Sequence, residues 1–305
     1  MEFFKKKTAI NFLGLRKYAA AFSMILFILS ITSLSIKGLN WGLDFTGGTQ
    51  IQISYPQAAD VISVRNELDN AGFKEAVVQS YGNAENLLIS IAPRVNVDQQ
   101  HLTQQVMSVL QGAKLQRVDY VGPKVGQEMA TKGFLAILVA LLGTMIYIAI
   151  RFEYRFAIGS AVALIHDPVL IMGMFSYFQL EFNLTALAAV LAVIGYSLND
   201  TIVIFDRIRE NFRKVRKGTP VEIVNLSINQ TLSRTVMTSA TTLVVVLALF
   251  FLGGEMIHGF ATAFIIGIVI GTYSSIYVAG ALAVALGLNK QDLMPIAKKE
   301  LDDRP

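Results

Sequence analysis

Six apolar runs alternate with polar stretches along this chain, at about 18–36, 134–150, 156–178, 184–205, 236–252 and 260–288. A helix crosses a bilayer with about 20 residues at 1.5 Å rise, so each run is near the length of one crossing. Between the first two runs lies a polar stretch, 38–129, where the period changes. Residues 49–55, TQIQISY, alternate as a half-buried strand does, and 58–72 carry Val61, Val64, Leu68 and Ala71 at helical spacing before Gly72. Residues 76–82 and 86–93 read as two strands joined at 83–85, 98–112 as a second helix ending at Gly112, and 114–123 as a last strand. The pattern predicts a polytopic α-helical membrane protein of six transmembrane helices. Between helices 1 and 2 it carries an α+β domain of ferredoxin-like order, βαββαβ.

Charge sets the direction of the spans. Lys5, Lys6, Lys7, Arg16 and Lys17 precede the first run, Arg151 and Arg155 follow the second, and Arg207, Arg209, Arg213, Lys214, Arg216 and Lys217 follow the fourth. The alternate short loops, QLEFN and GGEMIHG, hold Glu181, Glu255 and His258 but no Lys or Arg. By the positive-inside rule both termini are cytoplasmic and the polar domain is exported. The expected division is a cytoplasmic basic segment 1–17, a first span 18–36, an extracytoplasmic domain with its connectors 37–130, spans two to six over 131–288 with a cytoplasmic basic loop at 206–233, and a cytoplasmic tail 289–305. Phe3, Phe4, Ile10, Phe12 and Leu13 interleave with the first lysines, the pattern either of a short helix in the interface or of a basic tail. The first run is longer than a signal-peptide core and reads as a permanent span.

Composition narrows the chemistry. Of 305 residues 53% are hydrophobic and 16% charged, which excludes an ordinary soluble domain. There is no cysteine, and His101, His166 and His258 are scattered without ligand spacing. No phosphate-cradling glycine loop or nucleophile elbow occurs. Nothing points to an enzyme, a metal, a cofactor or a nucleic-acid partner, so work in the membrane needs an outside energy source.

The candidate chemistry lies in polar residues inside the apolar runs. Asn199 and Asp200 fall within the fourth span; a buried aspartate costs roughly 2.5–3.5 kcal/mol on insertion scales and usually marks an ion or proton pathway. On that helix Thr185, Ala189, Ala192, Tyr196 and Asp200 share a small, polar side, whereas Leu184, Leu187, Leu191, Ile194 and Leu198 form a side suited to lipid. Arg234, at the cytoplasmic entrance of the fifth span with Thr238 and Thr241 on its face, lies at a similar depth and is the expected ion-pair partner of Asp200; the lesser alternative is a flanking arginine that snorkels. His166, Asp167 and Pro168 interrupt the third span, either as a second titrating site or as a packed kink. Asp206 reads as a solvated boundary charge. Gly267 and Gly271 form a small-xxx-small pair for close packing within or between chains. Asp44, Gly47 and Gly48 in 38–49, and Gly122, Pro123 and Gly126 in 121–129, read as joints on which the domain pivots or as plain membrane-to-domain turns.

Together WGLDFTGGTQ, VGPKVGQE, RFEYR, IGYSLNDTIVIFDRIRENFRK and QTLSRTVMTSATTL resemble the SecF family, the SecF subunit of the bacterial SecD–SecF protein-translocation accessory complex, within the resistance-nodulation-division superfamily. The resemblance implies use of the proton-motive force to complete export of unfolded polypeptide through the SecYEG channel, with protons as the coupling ion. It implies that Asp200 and Arg234 line the proton pathway, that SecD supplies the other half, and that YajC is a looser partner. Two other classes stay open: a half-transporter for a lipid or small amphiphile, and a scaffold that only stabilises a channel.

Overall fold

The structure is a computed structural model describing residues 8–93, 99–215 and 217–289. A 3-10 turn (Leu13–Leu15) leads into α1 (Arg16–Ile36), then β1 (Asn40–Trp41) and a one-turn α2 (Leu43–Thr46). The inserted domain follows as β2 (Gly48–Ser54), α3 (Val61–Asn70), β3 (Val77–Tyr81), β4 (Asn83–Ile91), α4 (Gln99–Val109) and β5 (Lys114–Val121). The remainder is α5 (Pro123–Arg151), α6 (Tyr154–Phe178), β6 (Glu181–Phe182), α7 (Leu184–Lys214), α8 (Pro220–Leu252) and α9 (Glu255–Ser274), which runs through a π-turn (Ser275–Gly280) into α10 (Ala281–Ala285). Six helical segments among the described residues are long and apolar enough to cross a membrane.

In the domain the strands pair antiparallel in the order β3-β4-β2-β5. Alternation puts Ile51, Ile53, Leu87, Ile89 and Ile91 on one face, where Val64 and Leu68 of α3 and Leu102 and Val106 of α4 close the core. Each such side chain contributes roughly 1.5–3 kcal/mol, which lets this domain hold together without disulfides. The opposite face, with Gln50, Gln52, Gln79 and Arg117, looks across a cleft of about 700 Å³ toward Gln179, Glu181, Asn183 and His258 at the end of the membrane body.

Within the body α6 and α7 are mostly buried, whereas α1, α5 and α8 are mostly exposed. Small residues determine which helices sit at the centre. A Cβ added at Gly267 would overlap the Val193 side chain, and one at Gly271 would lie 3.0 Å from Ser197 Cβ, so α9 approaches α7 to backbone distance. The glycine pair therefore packs within the chain. This central placement also overturns the expected lipid side of α7: Leu187, Ile194 and Leu198 are buried against neighbouring helices, and the exposed stripe is Ala188, Ala192, Gly195 and Asn199.

Three further expectations change. The basic loop expected over 206–233 shrinks to the few residues between Lys214 and Pro220. Arg207–Glu210–Lys214 ion pairs carry α7 on to Lys214, and α8 starts at Pro220 behind a Thr219–Glu222 capping box. The connector expected at 121–129 is helix from Pro123 onward, and only Gly47 and Gly122 lie between domain and body elements. Gly47 has φ +68, and its Cβ would sit 2.8 Å from Pro123 Cα, while one on Gly126 would sit 2.7 Å from Gly47 N. The two connections thus press together at one place. At the start of the chain, residues 8–12 form no interfacial helix. Asn229 and Asn225 clamp the backbone of Ile10 at 2.8–2.9 Å, and Leu13 is fully buried. Residues 1–7 and the tail 290–305 lie outside the described residues.

Candidate functional site

The fourth span, α7, collects the polar groups because it packs against helices on several sides. Asn183 caps its first turn, accepting from Ala186 N at 3.0 Å, and Asp44 Oδ2 from the entry segment accepts from Leu184 N at 2.9 Å. Asp44 thus fastens α2 to the helix end rather than turning freely. Beside it β1 pairs in parallel with β6, Phe45 stacks on Phe182, and Trp41 meets both rings edge-on. Glu181, half-buried there, has its carboxyl held above the usual range, first by burial and second by Asp44.

Deeper along α7, Asp200 is 3% exposed, and its Oδ2 is buried with no hydrogen-bond partner. Arg234 and Thr238 of α8 are the side chains that act on it electrostatically. The expected pair is approached but not closed: no N–O contact within 4.0 Å joins Asp200 to Arg234, and the Thr238 hydroxyl donates to Arg234 O at 3.1 Å. Arg234 is exposed on α8, and Asn199 is exposed on the small-residue stripe of α7. One turn toward the domain, Tyr196, Ser239 and Thr272 form a hydroxyl chain of 3.5 and 2.9 Å. Thr235 Oγ1 is a second buried oxygen without a partner.

His166 and Asp167 sit apart from this pair. Asp167 is 1% exposed, lies 2.9 Å from His166 Nδ1, and accepts from Ser197 Oγ at 2.6 Å and Ser274 Oγ at 2.8 Å. His166 stacks on Phe27, and its buried Nε2 has no partner. Asp206 keeps its partly exposed place at the boundary and there pairs with Arg151 at 3.2 Å. Among the described residues no group of three or more metal-ligating side chains occurs. The hydrogen-bond partners of Asp167 and the cap from Asp44 were missed by sequence reasoning, since both cross between distant helices; polar residues in an apolar run were the only signal.

Six spanning helices around a buried, incompletely answered carboxylate, with a sheet domain inserted after the first, define a multi-pass membrane transport protein. A family model described as protein export membrane protein SecD/SecF, C-terminal, matches residues 101–289, and the SecD/SecF GG motif matches 32–59. The SecF protein translocase subunit of Vibrio alginolyticus is 49% identical over 99% of this chain and 98% of its own; that of Pseudomonas aeruginosa is 48% identical over 97% and 98%. The chain belongs to the SecF family of protein translocase subunits. A solved structure of SecDF, a translocon-associated membrane protein from Thermus thermophilus, is 40% identical at a TM-score of 0.85, covering 93% of this chain; a second, of SecDF in a super-membrane-facing form, gives 0.70 at the same identity and coverage. This chain spans 39% of each of those SecDF chains.

Proposed function

We propose that the chain is one half of a proton-driven accessory complex of the bacterial inner membrane that promotes export of unfolded polypeptide through SecYEG. SecD is the other half, and YajC is an accessory. The observation that carries this reading is Asp200: a buried carboxylate with one unanswered oxygen, beside an exposed arginine, on a flank this chain leaves open. SecD completes that flank, which is consistent with the longer SecDF relatives. The loop charges support cytoplasmic termini and an exported domain, and its strand order supports a ferredoxin-like fold.

In this mechanism Asp200 takes up a proton from outside, its attraction for Arg234 falls, and α7 shifts against α8 before the proton leaves to the cytoplasm. The outer end of α7 is tied through Asp44 to α2 and so to the paired connections at Gly47 and Gly122. A shift of α7 thereby turns the sheet domain. A charge crossing 100 mV releases about 2.3 kcal/mol, enough to bias a two-state element more than tenfold. The different fits to the two SecDF structures support a body and domain that rearrange. The scaffold reading is disfavoured because a structural pair would be closed, and the amphiphile reading because the cleft mixes carboxamides, Asp44, Glu181 and Arg117 with its apolar side chains instead of presenting a continuous apolar lining.

The test is export of a secretory precursor into inverted vesicles carrying this chain with SecD, with and without a proton gradient. Asp200→Asn and Arg234→Met are expected to abolish only the gradient-driven part at equal membrane levels. Unchanged gradient dependence would leave the scaffold reading ahead.

A further inference from the structure

Asp167 gathers one imidazole and two hydroxyls inside the membrane body, and the proposed proton route makes no use of this cluster. Three helices meet there. Asp167 belongs to α6, Ser197 to α7 and Ser274 to the last turn of α9. The chain of contacts then continues along α7 toward Asp200. Thr201 Oγ1 donates to Ser275 Oγ at 3.0 Å and to Ser197 O at 3.2 Å, and Ser275 Oγ donates to Gly271 O at 2.8 Å. Ser197 and Thr201 bracket Asp200 on the helix, one turn below and one residue beyond. At 100° per residue they face α6 and α9, while Asp200 faces α8.

We propose that Asp167 is a positioning residue for Asp200: it pins the Ser197–Thr201 turn of α7 to Ser274 and Ser275 at the entry of the π-turn, and so holds Asp200 aimed at α8. The inference rests on the proton-driven reading above and assigns Asp167 its part in it. Three physical points carry it. First, both oxygens of the Asp167 carboxylate have partners, Oδ1 one and Oδ2 two, so it is anchored at three points, whereas Asp200 Oδ2 has none. Second, the glycine contacts Gly267–Val193 and Gly271–Ser197 bring α9 close enough for Ser274 to reach the same oxygen as Ser197. Third, the regular helix of the last span gives way at Ser275, the residue that joins this network; π-turns are rare and gather at working sites. Removing a group that orients a metal ligand costs roughly ten- to hundredfold in activity, and that scale is taken over for a group that orients Asp200.

Asparagine separates positioning from proton carriage. Serine hydroxyls both donate and accept, and an imidazole can move its proton to the other nitrogen. In the Asp167→Asn variant the side-chain carbonyl would accept from both serines while the amide donates to His166 Nδ1, so the pin survives although no proton can be carried. The experiment measures gradient-driven export in inverted vesicles with SecD, across pH, for Asp167→Asn, Asp167→Ala, Ser197→Ala with Ser274→Ala, and Asp200→Asn.

Positioning predicts Asp167→Asn within about twofold of wild type, and a loss of roughly tenfold or more for Asp167→Ala with a displaced pH profile in what remains. The double serine variant, which removes only two hydroxyls, repeats that displacement in milder form and covers the case in which Asp167→Ala does not accumulate. Asp167→Asn as inactive as Asp200→Asn would make Asp167 a proton carrier and overturn the proposal. So would a wild-type profile in the double serine variant. If Asp200→Asn itself keeps gradient-driven export, the proton-driven reading fails instead, and the two failures are thereby distinguished.

Discussion

Asp167 and Asp200 lie on adjacent central helices and are buried to nearly the same degree, 1% and 3% exposed, yet their surroundings are opposite. Asp167 is answered by an imidazole and two hydroxyls, all from this chain, in a seam closed by glycine contacts. Asp200 has an oxygen with no partner and faces an arginine that stands on an open flank without reaching it. On the proposed reading, burial alone therefore does not separate a structural carboxylate from a working one. The donor set separates them instead: a carboxylate held by several donors is rigidly placed, whereas a buried oxygen without a partner is costly and favours taking up a proton.

The largest effect that can break this contrast is a crossed one between activity and stability. In the complex with SecD, Asp200→Asn should lose all gradient-driven export and melt within about 1 °C of wild type, since only an unanswered oxygen is replaced. Asp167→Ala should lower unfolding free energy by roughly 1–2 kcal/mol as its donors lose their acceptor. Both are read from thermal unfolding beside the export assay, and a large loss for Asp200→Asn with none for Asp167→Ala would reverse the assignment.

A slightly smaller effect probes the seam. Gly267→Ala places a methyl inside contact distance of Val193, forcing α9 away from α7 at a cost of roughly 1–3 kcal/mol, while the α8 side of Asp200 is untouched. It should destabilise without abolishing gradient dependence. The smallest effect uses a third carboxylate, Glu181, at the outer end of the body. Its folded-state pKa is raised by burial and by Asp44, so the folded state binds the proton more tightly and the ionised form is a burden above that range. Glu181→Gln should therefore raise stability by roughly 0.5 kcal/mol at neutral pH, and the gain should vanish as pH falls through the raised value. A gain that grows on acidification would contradict the sign.

Much of this was legible in the chain itself. The six apolar runs, the strand and helix order of the inserted domain, and the polar residues in the spans all followed from period and length. Helix ends beyond the membrane did not, because hydropathy records lipid contact and not helicity; α7 and α8 continue on ion pairs and a capping box. The leucine side of α7 was misread for a related reason: inside a membrane, protein neighbours and lipid are equally apolar, so hydrophobicity cannot tell a packed face from a lipid face. Depth alone brought Asp200 and Arg234 together, and the structure sets them face to face across α7 and α8 without joining them. The serines on Asp167 and the cap on α7 from Asp44 bring together residues 30 to 140 positions apart, which no local period encodes.

On the proposed mechanism Asp200 changes its protonation during the cycle and Asp167 does not. Infrared difference spectroscopy on the reconstituted complex with SecD, stepped in pH, reads this directly as a protonated-carboxyl band. The account predicts a band that is lost in Asp200→Asn and retained in Asp167→Asn. A band retained in Asp200→Asn and lost in Asp167→Asn would contradict it.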